Sequence, residues 1–239
     1  MDFPADFVGS KARNHRQSGD WQGFAMQSNG RTCRKDMRNI LLIQAISIIC
    51  SGVKIMVRII SGARRGKKLL APQGEQVRPT TNMVKEALFN ILFRYGIADS
   101  RFLDLFAGCG QIGLEALSRG AGQAVFVDSG RESVKMIEKN LQATGFESRA
   151  KVVAADFAGY LRGERGVFDI AFMDPPYEEG LLPKALELTA RKMNPQGIIV
   201  CEHGSREIPP ERAGEFVRQK TYKYGKSSLT TYTMGSEEA

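Results

Sequence analysis

Asp174-Pro175-Pro176-Tyr177 is the stretch of this chain best suited to chemistry, because it joins a carboxylate, a rigid turn and an aromatic ring. It follows an almost wholly apolar run, Phe168–Met173, which is typical of a strand buried on both faces of a parallel sheet. The two prolines end strand pairing, since neither can donate a backbone N–H. In open α/β sheets, ligands bind at the carboxyl ends of the strands. We therefore expect these groups to meet a ligand, although a plain turn leaving a buried strand is the alternative.

A glycine-rich stretch lies upstream of that motif. Gly108, Gly110 and Gly113 have the spacing of a dinucleotide-binding loop, between a predicted strand and a predicted helix. Glycine lets the backbone turn tightly and approach a ligand closely. Asp128 ends the next predicted strand, where an acid would hold ribose hydroxyls. On these residues alone, a nicotinamide or flavin enzyme is a fair competitor.

Three observations favour S-adenosyl-L-methionine, which has no phosphate and carries a sulfonium and an ammonium. Asp104 precedes the loop, where a carboxylate would repel a pyrophosphate but attract those cations. Asp156-Phe157 can accept from an adenine amine and flank its ring, although Asp156 can equally cap a helix. Hydride transfer would not explain the motif at 174–177. The predicted cofactor-binding residues are Asp104, Phe106, Ala107, Gly108, Gly110, Gly113, Asp128, Ser129, Asp156 and Phe157.

The elements that must position these residues alternate between strand and helix. The predicted strands are Arg101–Phe106, Ala124–Asp128, Lys151–Ala154, Phe168–Met173 and Ile198–Cys201. The predicted helices are Ile112–Arg119, Arg131–Thr144, Phe157–Leu161 and Leu181–Met193. Pro195-Gln196-Gly197 predicts a sharp turn into the fifth strand. This alternation indicates an α/β fold with a parallel sheet and helices on both faces. Phe216–Tyr224 and Ser227–Met234 predict a C-terminal hairpin that finishes the sheet.

The region before this array is short and basic. Val57–Gly62 and Gly66–Leu70 predict two short strands around a basic turn, and Asn82–Tyr95 predicts a helix. Positive charge is dense here, from Arg58, Arg64, Arg65, Lys67, Lys68, Arg78 and Lys85. We interpret the region as a phosphate-gripping element, with an ordinary solvated hairpin face as the alternative.

The composition narrows the function classes. The 239 residues carry a formal net charge of +8 and a sequence pI of about 9.4, which favours a polyanionic partner. The four cysteines include no C-x-x-C pair, and with two histidines they predict reduced thiols in the cytoplasm, no metal site and no Ser-His or Cys-His catalysis. The apolar run at 40–50 is too short to span a membrane, so no membrane partner is predicted.

From residue 56 to residue 232 the chain resembles the RsmD-like family, bacterial 16S rRNA (guanine-N2)-methyltransferases. The likeness rests on RIISGARRGKKL at 58–69, RPTTNMVKEALFNIL at 78–92, DLFAGCGQIGLEALSRGA at 104–121, AVFVD at 124–128, the motif at 174–177, EH at 202–203 and KYGKSSLTTY at 223–232. The string at 78–92 discriminates best, because the motif at 174–177 and the glycine loop occur in many methyltransferases. Cys109 stands where the family usually has serine, and Ser129-Gly130 replaces a more charged pair.

The resemblance implies a Rossmann-like S-adenosylmethionine-dependent methyltransferase fold, with a mostly parallel seven-stranded sheet and a C-terminal antiparallel hairpin. Residues 1–55 have no counterpart in the family, and we interpret them as a poorly ordered extension or a misassigned start. We expect a basic RNA-binding hairpin and helix at 56–100 and a methyltransferase domain at 101–239. The RNA-binding residues so predicted are Arg58, Arg64, Arg65, Lys67, Lys68, Arg78, Thr80 and Lys226.

The implied reaction is methyl transfer to the exocyclic N2 amine of a guanine in 16S rRNA of the small ribosomal subunit or its assembly intermediate. The predicted catalytic residues are Asp174, Pro175, Pro176 and Tyr177. The Asp174 carboxylate and the Pro175 carbonyl would each accept one amine hydrogen, and Tyr177 would stack on the base. A DNA adenine-N6 methyltransferase and a non-catalytic RNA-binding assembly factor are the alternatives. We expect a monomer.

Overall fold

A computed structural model describes residues 57–71, 82–176 and 179–235. The predicted extension at 1–55 and three predicted site residues, Arg78, Thr80 and Tyr177, lie outside these ranges. The strands are β1 (Val57–Arg58), β2 (Lys68–Leu69), β3 (Arg101–Leu105), β4 (Gln123–Asp128), β5 (Ala150–Ala154), β6 (Phe168–Met173), β7 (Met193–Gly204), β8 (Arg212–Ala213), β9 (Phe216–Tyr224) and β10 (Ser227–Met234). The helices are α1 (Asn82–Leu92), α2 (Gln111–Ser118), α3 (Arg131–Thr144), α4 (Phe157–Gly163) and α5 (Leu182–Ala190).

The main sheet has eight strands in the order β5-β4-β3-β6-β7-β10-β9-β8. The first five are parallel, and the last three continue the sheet in antiparallel pairs. The mostly parallel sheet and its closing β9–β10 hairpin are as predicted, and the two-residue β8 extends the predicted seven strands by one. Strands β3 to β5 are added toward one edge of the sheet and β6 and β7 toward the other, so the strand order reverses between β3 and β6. In open α/β sheets, ligands bind at such a switch point.

The strands alternate their buried side chains between two cores. Phe102, Phe126 and Phe172 pack under α1, α2 and α3, whereas Leu103 and Met173 face α4 and α5. Because every second residue of a strand points to the same face, this alternation assigns the face of each residue near the strand ends.

A buried ion pair joins the N-terminal hairpin to the helix layer. The Glu115 carboxylate of α2 accepts hydrogen bonds from the Ile60 and Ser61 backbone at 2.7 and 2.9 Å, and its oxygen lies 3.4 Å from the Lys85 ammonium. Lys85 in turn donates to the Arg58 carbonyl at 2.7 Å. Both charged side chains are fully buried, and this burial lowers the pKa of Lys85 against the opposing effect of Glu115. Interpreting Lys85 as part of a phosphate-gripping charge is therefore wrong, because its ammonium holds the hairpin in place.

The predicted turn at Pro195-Gln196-Gly197 is also wrong, because these residues lie within β7. Phe168 pairs with Met193 and Ile170 pairs with Ile198, so β7 carries three more residues than β6 across this interval. Such an excess forms an irregular bulge. β10 begins to pair with β7 only at Ile198, so among the described residues Pro195 has no antiparallel partner that would need its missing N–H. The predicted helix at 181–193 correspondingly ends early, at Ala190.

Candidate active site

The carboxyl ends of the parallel strands bring the predicted acids to one edge of the sheet. β3 pairs with β6 so that Leu105 is opposite Met173, and β6 pairs with β7 so that Met173 is opposite Cys201. The next residues along these strands, Phe106, Asp174 and Glu202, therefore stand at one level. The predicted cofactor loop and the predicted catalytic motif are thus neighbours at the switch point of the sheet.

The glycine loop, residues 106–110, leaves β3 through an unusual conformation. Phe106 has φ of 66°, a left-handed value that is uncommon for a residue with a side chain, so the predicted strand ends one residue early, at Leu105. The Phe106 and Ala107 N–H groups both donate to the Val127 carbonyl at 3.0 Å. The turn moves the Phe106 ring away from its strand face to the Phe157 ring, at a centroid distance of 5.2 Å.

Asp104 and Gly113 tie this loop to the start of α2. The Gly113 N–H donates to the buried Asp104 carboxylate at 2.8 Å. A Cβ at Gly113 would lie 2.3 Å from the Phe126 ring, so only glycine lets α2 approach the sheet this closely. Burial raises the pKa of Asp104 to about 7, against the Gly113 hydrogen bond and with a smaller contribution from the Asp128 charge. A cationic ligand beside Asp104 would favour its charged form.

Two further acids, Asp128 and Asp156, form hydrogen bonds with the backbone at the rim of the site, and we call them the rim carboxylates. One oxygen of Asp128 accepts from the Gly108 N–H and the other from the Gly130 N–H, both at 2.8 Å. Asp156 caps α4, because its Oδ1 accepts from the Ala158 and Gly159 N–H groups at 3.1 and 2.9 Å. The capping role considered from sequence is therefore present. Each carboxylate oxygen has two acceptor sites, so both acids keep capacity for ligand hydroxyls or amines.

A cleft of about 210 Å³ opens between these groups. Half of the predicted cofactor residues line it, namely Phe106, Asp128, Ser129, Asp156 and Phe157. The other half belong to the glycine loop and to the strand and helix that it joins, namely Asp104, Ala107, Gly108, Gly110 and Gly113. Pro176 of the catalytic motif lines the same cleft, together with Glu179 and Leu181. The structure thus joins the two motifs that are 66 residues apart in sequence, counted from Gly110 to Pro176.

Asp174 lies at the mouth of this arrangement. Asp174 is partly buried, its neighbour Pro175 is buried and Pro176 is exposed, so the turn leads from the core to the solvent. Burial raises the pKa of Asp174 well above its ordinary value, and the charges of Glu202 and then Asp104 raise it further. Asp174 is therefore better prepared to accept a proton than an exposed aspartate is.

Two polar residues that were not among the predicted site residues lie next to parts of this site. Glu202 of β7 is 4% exposed and stands beside Asp174. Gln111, the first residue of α2, is 7% exposed, and its side-chain oxygen has no hydrogen-bond partner in the described part of the chain. A buried acceptor beside a glycine loop is a candidate to receive a ligand donor. The string EH at 202–203 was the available signal for Glu202, whereas Gln111 had none beyond its place in the loop.

The predicted RNA-binding residues occupy two places. Lys226 is exposed at the β9–β10 turn, next to the carboxyl end of β7, because Ser227 pairs with Gly204. The hairpin tip instead contacts the far ends of α2 and α3: Ala63 donates to the Ser118 carbonyl at 2.8 Å and Arg64 to the Thr144 carbonyl at 2.6 Å. The 14 residues of α3 separate the tip from the catalytic edge by about 20 Å.

The exposed cations of the hairpin are Arg58, Arg64, Arg65, Lys67 and Lys68. Arg64 also docks the hairpin, since its guanidinium lies 5.6 Å from the centre of the Phe146 ring in addition to its bond to Thr144. Arg58 and Arg65 line a shallow groove of about 250 Å³ beside the start of α1. RNA binding by these residues remains a prediction.

Comparison with known proteins identifies the family. A family described as conserved hypothetical protein 95 matches residues 57–233. The chain is 42% identical over 132 residues to "Ribosomal RNA small subunit methyltransferase D" of Escherichia coli strain K12, a match that covers 55% of this chain and 66% of that protein. The chain belongs to this RsmD-like family. The resemblance inferred from the sequence motifs is thereby confirmed.

Two further relatives extend the match over more of their own length. "Putative rRNA methyltransferase YlbH" of Bacillus subtilis is 36% identical over 185 residues, covering 74% of this chain and 98% of that protein. The solved structure titled "Putative methyltransferase yhhF from Escherichia coli" matches with a TM-score of 0.67 at 34% identity, covering 76% of this chain and 99% of that one. The predicted Rossmann-like methyltransferase fold is confirmed. Within the described ranges, the RsmD-like chain has no helix long and apolar enough to cross a membrane.

Proposed function

We propose that this protein transfers a methyl group from S-adenosyl-L-methionine to the exocyclic N2 amine of a guanine in 16S rRNA, in the small ribosomal subunit or its assembly intermediate. Membership of the RsmD-like family, with relatives named as small-subunit rRNA methyltransferases, supports the enzyme class and the RNA substrate. The observation that carries the proposal is the shared cleft, which Pro176 of the catalytic motif lines together with Asp128 and Asp156. A protein that methylates ribosomal RNA would act in the cytoplasm, where that RNA is.

The residues of the cleft fit this methyl donor. Phe106 and Phe157 offer two rings for a flat adenine, and Asp128 and Asp156 offer acceptors for ribose hydroxyls and an amine. The buried Asp104 provides a negative charge for cationic groups. The Gln111 oxygen, which has no hydrogen-bond partner among the described residues, provides an acceptor. The bound donor would supply a methyl group on a sulfonium, already activated for displacement.

The motif after β6 supplies the acceptors for the target amine. The amine of guanine is a weak nucleophile, because its lone pair is delocalised into the ring. Asp174 and the Pro175 carbonyl would each accept one amine hydrogen and so aim the lone pair toward the methyl group. Tyr177 would stack on the base, which is worth about 1–3 kcal/mol in comparable nucleic-acid sites. The rate gain would come from orientation and fixed electrostatics.

The basic residues would hold the RNA at two places. Lys226 stands at the catalytic edge, and the hairpin cations lie toward the opposite end of α3. Contacts with phosphates position a nucleic acid without reading its sequence. A folded RNA that reaches from the hairpin to the cleft would satisfy both places, as a ribosomal subunit could.

The test is to incubate the protein with labelled S-adenosylmethionine and small ribosomal subunits from cells that lack this activity. The RNA is then digested and the methylated nucleoside is identified by mass. N2-methylguanosine is the expected product. N6-methyladenosine, or label only in DNA, would favour the adenine-N6 alternative. Binding of the donor without transfer to subunits, their precursors or naked RNA would favour the assembly-factor alternative.

A further inference from the structure

Three carboxylates form a row on one face of the sheet, and we call Asp104, Asp174 and Glu202 the acidic row. Asp104 follows Phe102 by two residues along β3, and Asp174 follows Phe172 by two along β6. Glu202 follows Val200 by two along β7. Phe102, Phe172 and Val200 all belong to the core under α1, α2 and α3. The three acids therefore point to that same face from three adjacent strands.

Two members of the row are buried, and Asp174 between them is partly buried. Asp104 is 2% and Glu202 is 4% exposed. Like charges held close together in a buried site favour the protonated form of one of them. In the described part of the chain, no three acidic, histidine or cysteine side chains converge closely enough to hold a metal ion. The members of the row therefore act on one another through charge, and the charges of Glu202 and Asp104 bear on Asp174.

We propose that Glu202 is a positioning residue that acts through Asp174, making the Asp174 carboxylate the acceptor of the proton that the target amine loses. This inference rests on the methyl transfer proposed above. In that step the amine nitrogen bonds to the methyl carbon while the carbon–sulfur bond breaks, and its electron pair stays on sulfur. The nitrogen then carries a positive charge, and an N–H proton passes to an Asp174 oxygen and on to water.

The charges around Asp174 fix the sign of the effect. Glu202 of β7 and Asp104 of β3 both raise its pKa, after the larger effect of burial. The ammonium of Lys85, on α1, is engaged by Glu115 and the Arg58 carbonyl, and Glu179 is exposed on the cleft. Replacing Glu202 by a neutral residue removes one source of negative charge and lowers the pKa of Asp174. The activity that requires ionised Asp174 then persists to lower pH, but Asp174 becomes a weaker base.

The experiment measures the pH profile of the single-turnover rate constant with saturating donor and small subunits. In Glu202→Gln the midpoint of the acid limb is expected to fall by about one pH unit, and the plateau above it to fall severalfold. Glu202→Asp retains a carboxylate one methylene farther back, so its midpoint is expected between those of the other two proteins. The graded shift remains measurable in Glu202→Asp if Glu202→Gln folds poorly.

His203→Gln is the matched control. His203 is the next residue of β7, is equally buried, and points to the opposite face, where its ring bonds to Thr230 at 2.8 Å. A disturbance of β7 alone would lower rates in both variants without moving either midpoint. An unmoved midpoint in Glu202→Gln, with wild-type protein still producing N2-methylguanosine, would overturn this inference alone. Failure of the wild-type protein to methylate rRNA would instead overturn the proposed function.

Discussion

The rim carboxylates and the acidic row both lie at the carboxyl edge of one sheet, but they differ in hydrogen bonding and in burial. Asp128 and Asp156 each accept two backbone N–H groups and lie partly or fully exposed. Asp174 and Glu202 stand at adjacent strand ends, where burial and the charge of Glu202 raise the pKa of Asp174. Asp104 is intermediate, since it is buried but accepts one N–H.

The difference separates two uses of the same functional group. Hydrogen bonds from backbone N–H groups stabilise a carboxylate as an anion, and so make it a fixed acceptor that shapes a loop. Burial beside other acids raises the free energy of the anion and so prepares it to take a proton. We expect the rim and Asp104 to govern donor binding, and Asp174 with Glu202 to govern transfer.

The largest effect is expected at the centre of the acidic row. Asp174→Ala removes one amine acceptor and the proton acceptor together, so methyl transfer should fall by roughly a thousandfold or more. Donor binding should persist, because Asp174 does not line the cleft at the rim. Titration calorimetry with the donor and a single-turnover assay check the two halves of this prediction. Equal losses of donor binding and of methyl transfer would contradict the assignment of Asp174 to transfer alone.

The next effect concerns the pH dependence of folding. Burial raises the pKa of Asp104 to about 7 from 3.8, so the protonated form stabilises the fold. That stability is fully present below about pH 3.8 and is lost as pH rises through about 7, to an extent of roughly 4 kcal/mol at most. Asp104→Asn keeps an acceptor for Gly113 but no charge. Its unfolding free energy should therefore decline less than that of wild type between pH 5 and pH 8.

Urea denaturation at both pH values measures this difference. Asp99→Asn, which changes an exposed aspartate before β3, is the control and should keep the wild-type slope. Asp104→Asn should also bind the cationic donor more weakly at pH 8, because its charge is gone. If the unfolding free energies of Asp104→Asn and wild type changed equally with pH, Asp104 would not be the group that sets this pH dependence.

A smaller effect is expected in the loop that supports both groups. Gly113→Ala places a Cβ 2.3 Å from the buried Phe126 ring, and overpacking of this kind costs about 1–3 kcal/mol. Gly108→Ala meets no atom within 4 Å, so only its φ of 56° opposes it. Thermal unfolding should show a clear loss for Gly113→Ala and about 1 kcal/mol for Gly108→Ala. Equal losses would mean that the Phe126 contact relaxes freely.

The loop and the catalytic motif could be predicted from sequence because spacing and residue type alone specify them. The apolar run before Asp174 and the glycine spacing depend on local rules of strand burial and tight turning. Lys85 could not be placed this way, since its partner Glu115 is 30 residues away and on another helix. The place of Glu202 beside Asp174 could not be predicted either, because it depends on the register between β6 and β7, which the sequence does not reveal.

The prediction of a turn at residues 195–197 was wrong for a related reason. Pro195 and Gly197 together satisfy the local rule for a turn, but the parallel partner β6 continues past them. Pairing with β6 outweighed the local preference for a turn, and the three additional residues form a bulge within the twelve-residue strand β7. Local rules thus recovered the chemistry-bearing groups, and long-range packing decided their neighbours.

Asp156 gives the smallest and sharpest test of the rim, because sequence left its two roles open and the structure shows only the cap. Asp156→Ala loses the cap and should destabilise the fold by about 1 kcal/mol. Asp156→Ser keeps a capping oxygen, so its thermal stability should match wild type. If the carboxylate also holds the donor, both variants should bind S-adenosylmethionine severalfold more weakly. Wild-type affinity in Asp156→Ser would leave Asp156 as a helix cap alone, and Asp128 as the only rim carboxylate that acts on the donor.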